Sequence, residues 1–421
     1  MFKYVFFCIL IFSLSATAAD AGWTFNSQIE FFSAGAAALI EDSPVNPANR
    51  ILMLPNKKLL ADMRAQLALD YKGFFRVVVR PRYLLDYKET TFGDTEERSK
   101  STVGKPDLSD FFAEWRPNRN LFLSFGLLSY QWGPAETIGP SNPIFHMTPD
   151  SKSFLFKQKG KVLFKANAYL AHKVNFIYLS EVLNNNEPNW IADEGFIVKH
   201  LVKIEKAFSN SFNYTGISFG SIERGHVFVG EYFNTMITDI FSVYVDARQT
   251  RGAVYYQPQL NGVGAYDLTM APEQSDKVFN MAVVGARLES RWDFRLEYIY
   301  NDIGYNADEL KNAISAITTV TANLPNNFSR LSRPGLELPG RQYLYTSIRI
   351  PDWGRKNNTT TYVRYIKSLQ DDSASLEVNF DKPVSDTTVG YLETSFAQGP
   401  AGKEFTLGDR AYVLAGLRWA M

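Results

Sequence analysis

From residue 59 to residue 87 nearly every second side chain is apolar and most of the intervening ones carry charge or a polar group. Leu59, Ala61, Met63, Ala65, Leu67, Leu69 and Tyr71 alternate with Asp62, Arg64, Gln66 and Asp70; Lys72 and Gly73 supply a turn. On the return, Phe75, Val77, Val79, Pro81, Tyr83, Leu85 and Tyr87 alternate with Arg76, Arg80, Arg82 and Asp86. Strand side chains alternate with period two, so the stretch predicts a hairpin with one greasy and one ionic face. A soluble sandwich would cover the greasy face with a second sheet. Further segments of the same kind recur along the chain with little helix between them. This constrains the fold to an antiparallel up-and-down β-barrel whose apolar face meets lipid and whose ionic face meets water.

Alternation places strands near 23–34, 58–71, 74–87, 108–116, 121–131, 161–171, 174–183, 196–206, 212–221, 226–234, 239–249, 277–289, 291–301, 340–350, 359–369, 374–381, 386–397 and 409–421. That is eighteen, with sixteen as the alternative. Single-chain bacterial barrels have an even strand number, short periplasmic turns and longer outer loops. The connections obey that parity. Tight turns fall at Lys72-Gly73, 117–119, His172-Lys173 and Ser290, whereas 35–57, 88–107, 132–160, 250–276 and 302–339 are long.

Residues 1–19 have Lys3 near the start, an apolar stretch from Tyr4 to Leu14 and the small-residue ending Ala16-Thr17-Ala18-Ala19. This is the layout of a secretory signal peptide, and the stretch is about half the ~20 residues a spanning helix needs. Cys8, the chain's single cysteine, lies inside it, so residues 20–421, the barrel itself, have no thiol or disulfide chemistry. Lys+Arg and Asp+Glu each number 44, which gives no electrostatic case for nucleic acid. Export, a lipid-facing surface and strands in place of apolar helices point to the outer membrane of a Gram-negative bacterium.

The chain has 32 Phe, 22 Tyr and 7 Trp residues. Under the predicted topology Trp23, Trp115, Trp292, Trp353 and Trp419 all fall at the periplasmic rim, where amphipathic indoles favour the headgroup level. The final segment, Ala411 to Met421, resembles the closing strand of the outer-membrane β-barrel family, a glycine followed by alternating aromatic or apolar residues that serves as an assembly signal. Gly416, Trp419 and Met421 match the spacing, although Met421 stands where the family usually carries phenylalanine or tryptophan. The resemblance implies barrel-assembly machinery as a partner.

An eighteen-stranded barrel is too wide to be filled by its own side chains. The expected pore-lining residues are Asp62, Arg64, Arg76, Arg80, Arg82, Asp110, Glu114, Arg291, Arg295 and Glu297, a charge density that only a wetted wall tolerates. The third outer loop, 132–160, combines Gly133-Pro134-Ala135-Glu136 and Gly139-Pro140-Ser141-Asn142-Pro143 with Ile144, Phe145 and His146, rigid turn chemistry beside apolar residues. Here the chain resembles porins, whose long third loop folds into the lumen opposite an arginine ladder. That resemblance implies Glu136 and Asp150 opposite Arg76, Arg80 and Arg82, with His146 on the same constriction loop. The alternative is an external cap, with the arginines neutralised by Asp62, Asp70, Asp110 and Glu114. In the loop 302–339, Leu310, Ala313, Ile314 and Ile317 follow helical spacing.

The four histidines, His146, His172, His200 and His226, fall on separate elements, and no HExxH, GxSxG, phosphate loop or metal-ligand spacing occurs. Neither an enzyme nor a metal or other cofactor is expected. The expected function is a channel for passive diffusion of small hydrophilic solutes, resting in outer-membrane lipid, with a homotrimer possible in principle because subunit and lipid contacts use the same outward residues. The alternatives are polysaccharide export, adhesion and, last, an outer-membrane hydrolase.

Overall fold

The computed structural model describes residues 22–43, 46–93, 97–145, 153–154, 160–182, 198–208, 212–222, 226–253, 255–272, 274–318, 327, 330–331, 338–354 and 358–421. The predicted signal peptide lies outside them. In chain order the elements are β1 (Trp23–Ile40), β2 (Lys57–Tyr71), β3 (Phe75–Thr91), β4 (Arg98–Asn118), β5 (Leu121–Leu128), β6 (Lys161–Leu170), β7 (Val174–Glu181), β8 (Val198–Ala207), β9 (Tyr214–Ile222), β10 (Val227–Thr238), β11 (Phe241–Arg251), β12 (Tyr256–Leu260), β13 (Tyr266–Met270), β14 (Val278–Glu289), β15 (Asp293–Asn301), α1 (Ala307–Thr318), β16 (Gln342–Trp353), β17 (Thr359–Ser368), β18 (Ala374–Pro383), β19 (Thr388–Gln398) and β20 (Asp409–Ala420).

Eighteen of these strands form one antiparallel sheet, and β12 and β13 form a separate hairpin. Successive barrel strands pair with their neighbours, β11 pairs directly with β14, and the first strand pairs with the last from Glu30↔Ala420 to Ile40↔Asp409. Met421 extends this seam by exchanging hydrogen bonds with Ile29, 2.9 and 3.1 Å. The closed ring has no free edge along the seam, which is the condition for crossing lipid with strands.

The greasy face of the opening hairpin points outward: Leu59, Met63, Tyr83 and Leu85 are exposed, as are Phe111, Phe125, Phe294 and Leu417 on other strands. Trp115, Trp292, Trp353 and Trp419 are exposed on the same surface, and Trp23 stacks on Tyr71 at 4.7 Å. At Gly416 a side chain is excluded, because an added Cβ would lie 2.3 Å from the Ser33 carbonyl and 2.7 Å from the Tyr391 ring. The assembly-type glycine thus has a packing role at the seam.

Two expectations need correcting. The segment 88–107 is mostly strand, since β3 runs to Thr91 and β4 starts at Arg98, and this hairpin projects past the apolar band with Arg98 to Asp107 largely exposed. Likewise, 250–276 holds the β12–β13 hairpin. Above the membrane neither face needs to be apolar, so the alternation that reveals a strand disappears. The helix does form where its spacing predicted. Asn306 and Glu309 make a reciprocal cap at its start, each side chain accepting from the other's backbone N–H at 2.9 Å. Its buried residues, Leu310, Ala313, Ile314, Ala316 and Ile317, pack on Leu268, Tyr305 and Leu331, over the outer hairpin.

Candidate functional site: the barrel interior and its inward loop

The inner wall is charged on β2 to β4. Asp62, with no exposed side-chain surface, accepts from Arg82 Nε at 2.8 Å and Nη2 at 2.7 Å and from Arg64 Nε at 2.8 Å. One carboxylate therefore holds two guanidiniums, and Arg64 also lies 4.1 Å above the Phe32 ring. Arg80 bonds Asp110 at 2.9 Å and Gln66 at 3.0 Å, and remains a third exposed. Glu114 pairs with Arg116 at 2.8 Å. Arg76 stands beside Asp70 and Glu114 in register.

Pro81 opens this wall. It has no N–H to donate, and the β2–β3 pairing lapses between Arg64↔Arg82 and Leu67↔Val79, while the β3–β4 register shifts between Arg80 and Pro81. The gap is a cleft of about 120 Å³ bordered by Glu30, Arg64, Gln66, Arg80, Arg82 and Ser109, among others.

The loop between β5 and β6 lies on the inner wall of the opposite side. Glu136 and Thr137 donate their backbone N–H groups to Glu297 on β15, at 2.6 and 3.1 Å; the Thr137 hydroxyl also donates to it. The Tyr244 hydroxyl on β11 donates to the same carboxylate at 2.8 Å. Ser141 N–H donates to Asp246 on β11 at 2.7 Å, and its carbonyl accepts from Ser218 on β9 at 3.2 Å. Gly133 is required here: a Cβ would sit 2.1 Å from the Asp246 carboxylate, and its φ of +94° favours glycine. Further along, Phe154 stacks on Tyr391 at 5.0 Å and donates its N–H to Glu393 at 3.2 Å on β19. The loop therefore reaches from its root at β5 to the inner faces of β9, β11, β15 and β19.

Apolar packing reinforces these bonds. Trp132, Ile144 and Phe145 are buried against Leu163, Ile177, Leu179, Leu201 and Phe228, and Ile138 against Met281, Val283, Ile299 and Tyr345. Ile138, Ile144 and Phe145 each contribute roughly 2 kcal/mol by burial alone. At the loop root Lys203, which bonds Glu205 at 3.0 Å, sits within 5.5 Å of the Tyr130, Trp132 and Tyr232 ring centres.

These positions revise the expected constriction. Glu136, across the barrel from Arg76, Arg80 and Arg82, has its contacts on its own side: it pairs with Arg295 at 3.3 Å and accepts from Ser347 at 3.0 Å. His146 and Asp150 lie outside the described residues. Arg291 is in the exposed turn before β15, because the strand begins two residues later than predicted, at Asp293. Asp246, Tyr244, Ser218 and the apolar inner residues of β6 to β10 were missed. Their signal was a failure of alternation: Phe176, Ile177, Tyr178 and Leu179 are apolar on both faces, as a strand covered inside by a loop and outside by lipid must be.

No family model matches the chain, and no curated protein matches it by sequence. Solved structures do share its architecture. OccAB1 of Acinetobacter baumannii superposes with a TM-score of 0.53 at 10% identity, covering 94% of this chain and 96% of that one. OccK1 (OpdK) of Pseudomonas aeruginosa gives 0.53 at 8% identity, with 94% and 98% covered. OccK2 (OpdF) of the same organism, solved in complex with glucuronate, gives 0.52 at 9% identity, again with 94% and 98% covered. At such identities the likeness is one of fold. The shared architecture is a closed eighteen-stranded antiparallel β-barrel.

Proposed function

We propose that this protein is an outer-membrane channel for passive diffusion of small hydrophilic solutes, narrowed by the β5–β6 loop. The observation that carries the reading is the division of the interior: the loop is fastened to one side, and the facing wall at β2 to β4 carries a dense array of arginines with a water-accessible cleft among them. Transport through such a barrel is downhill and needs no cofactor; radius and wall charge set what passes. Arg64, Arg76, Arg80 and Arg82 form the selective wall. A solute with an anionic group would meet these guanidinium donors in the company of the carboxylates of Asp62, Asp110 and Glu30. OccK2, which shares the fold, is solved with glucuronate, an acidic sugar.

In this reading residues 1–19 direct export, Gly416, Trp419 and Met421 are read by the barrel-assembly machinery, and the tryptophan girdle seats the barrel in lipid, alone or as a homotrimer. No catalytic role is assigned to any side chain. Replacing Arg76, Arg80 and Arg82 by glutamate moves the reversal potential in a salt gradient toward cation selectivity. An unchanged potential would remove these residues from the conduction path.

A further inference from the structure

We propose that Asp246 and Glu297 are the positioning residues of the inward loop, two buried carboxylates that grip its backbone amides and set how far it reaches across the barrel. Both side chains belong to residues with no exposed surface. Among the described residues neither lies within ion-pair distance, 4.0 Å, of a lysine or arginine. A buried carboxylate without a cation is costly unless neutral donors satisfy it. Here the loop supplies donors: Glu136 N–H, Thr137 N–H and the Thr137 hydroxyl to Glu297, and Ser141 N–H to Oδ1 of Asp246, whose Oδ2 has no hydrogen-bond partner among the described residues. The dependence is mutual, since loop and wall would each be left with unpaired buried groups if they separated.

The donors are mostly main-chain groups, so the grip fixes the path of the backbone and is indifferent to the side chains at 136 and 141. The two grips flank Ile138, which is fully buried against the wall, and the three contacts together define position and orientation. Tyr244 links the two carboxylates' strands, because it lies one inward position from Asp246 on β11 and donates to Glu297 on β15. An amide in place of Glu297 keeps the shape but turns an NH₂ group toward a loop N–H donor whichever way it is oriented, so at least one bond is lost; at Asp246 the single acceptor of Ser141 N–H is removed by alanine.

The consequence for conduction rests on the channel reading above, but loop position is measurable without it. In a chain with Cys8 replaced by serine, Ala135→Cys places one thiol at a buried loop position. Its maleimide labelling in the folded, detergent-purified barrel is slow. Glu297→Gln and Asp246→Ala, singly and together, raise the labelling rate at least tenfold while heat-modifiable migration on a gel stays normal. Glu136→Gln, which breaks the pair with Arg295 but leaves its N–H in place, keeps labelling slow. Equal rates in all backgrounds would overturn the proposal, and so would fast labelling in Glu136→Gln, which would assign the positioning to the side-chain ion pair. In planar bilayers the same two variants show altered step size and noisier open states. If the unsubstituted protein gives no steps while labelling follows the expected order, the channel reading fails and the positioning role stands.

Discussion

Asp62 decides the charge of the wall at the scale of single residues. It is fully buried beneath Arg64 and Arg82, which are each about one-seventh exposed, and it holds both at 2.7 to 2.8 Å. Removing its charge leaves two guanidiniums without their shared partner, one more positive charge beside the cleft at Pro81. Asp62→Asn accordingly shifts selectivity toward anions, opposite in sign to the arginine replacements. It also lowers unfolding free energy by about 3 kcal/mol, the usual cost of breaking one side of a buried pair, read from denaturant midpoints of the refolded barrel. A reversal potential that moves toward cations would contradict the assignment of this cleft to the conduction path.

Among the elements, the seam between β1 and β20 tests the barrel most sharply. Gly416 lets the Tyr391 ring and the Ser33 carbonyl occupy the space a side chain would take. Gly416→Val therefore blocks closure, and the fraction of folded, heat-modifiable species falls severalfold; Ala415→Val, whose side chain points outward into lipid, leaves it near the original level. The sequence displayed all eighteen barrel strands because lipid on one side and charge on the other force alternation, as in Leu59 to Tyr87. It concealed whatever lacked that asymmetry: the rim of β4 from Arg98, the β12–β13 hairpin, and the inner residues of β7, apolar on both faces. The inward loop was legible as rigid turns mixed with apolar residues. Its partners were not, because Asp246 and Glu297 lie more than a hundred residues away and look like any other inward acid. The pairing of Glu136 with Arg295 was hidden for the same reason, since the porin resemblance conveys layout and not pairing.

For the whole molecule, the outer loops are tied to the barrel through Glu404. Its buried carboxyl accepts from the Tyr343 hydroxyl at 2.7 Å, and its N–H donates to Asp371 at 2.8 Å. Burial pushes this carboxyl up to about 8 from its ordinary value of 4.5. The folded state thus keeps a proton that the released loop gives up near 4.5. Its stabilising contribution is complete below about pH 4.5 and is lost as pH rises through about 8. Hydrogen exchange at residues 403–406 should be slow at pH 5 and disproportionately faster at pH 9 after correction for intrinsic rates; Glu404→Gln removes the difference.

On the proposed channel reading, a closed barrel with a charged inner wall and a loop fastened on one side should conduct ions. Single-molecule recording of the purified, refolded protein in a planar bilayer tests this most directly. The expected result is discrete conductance steps that scale with salt concentration and disappear when the protein is heat-unfolded before addition. A correctly folded, membrane-inserted barrel that gives no steps at any voltage would contradict the channel and leave a sealed outer-membrane barrel in its place.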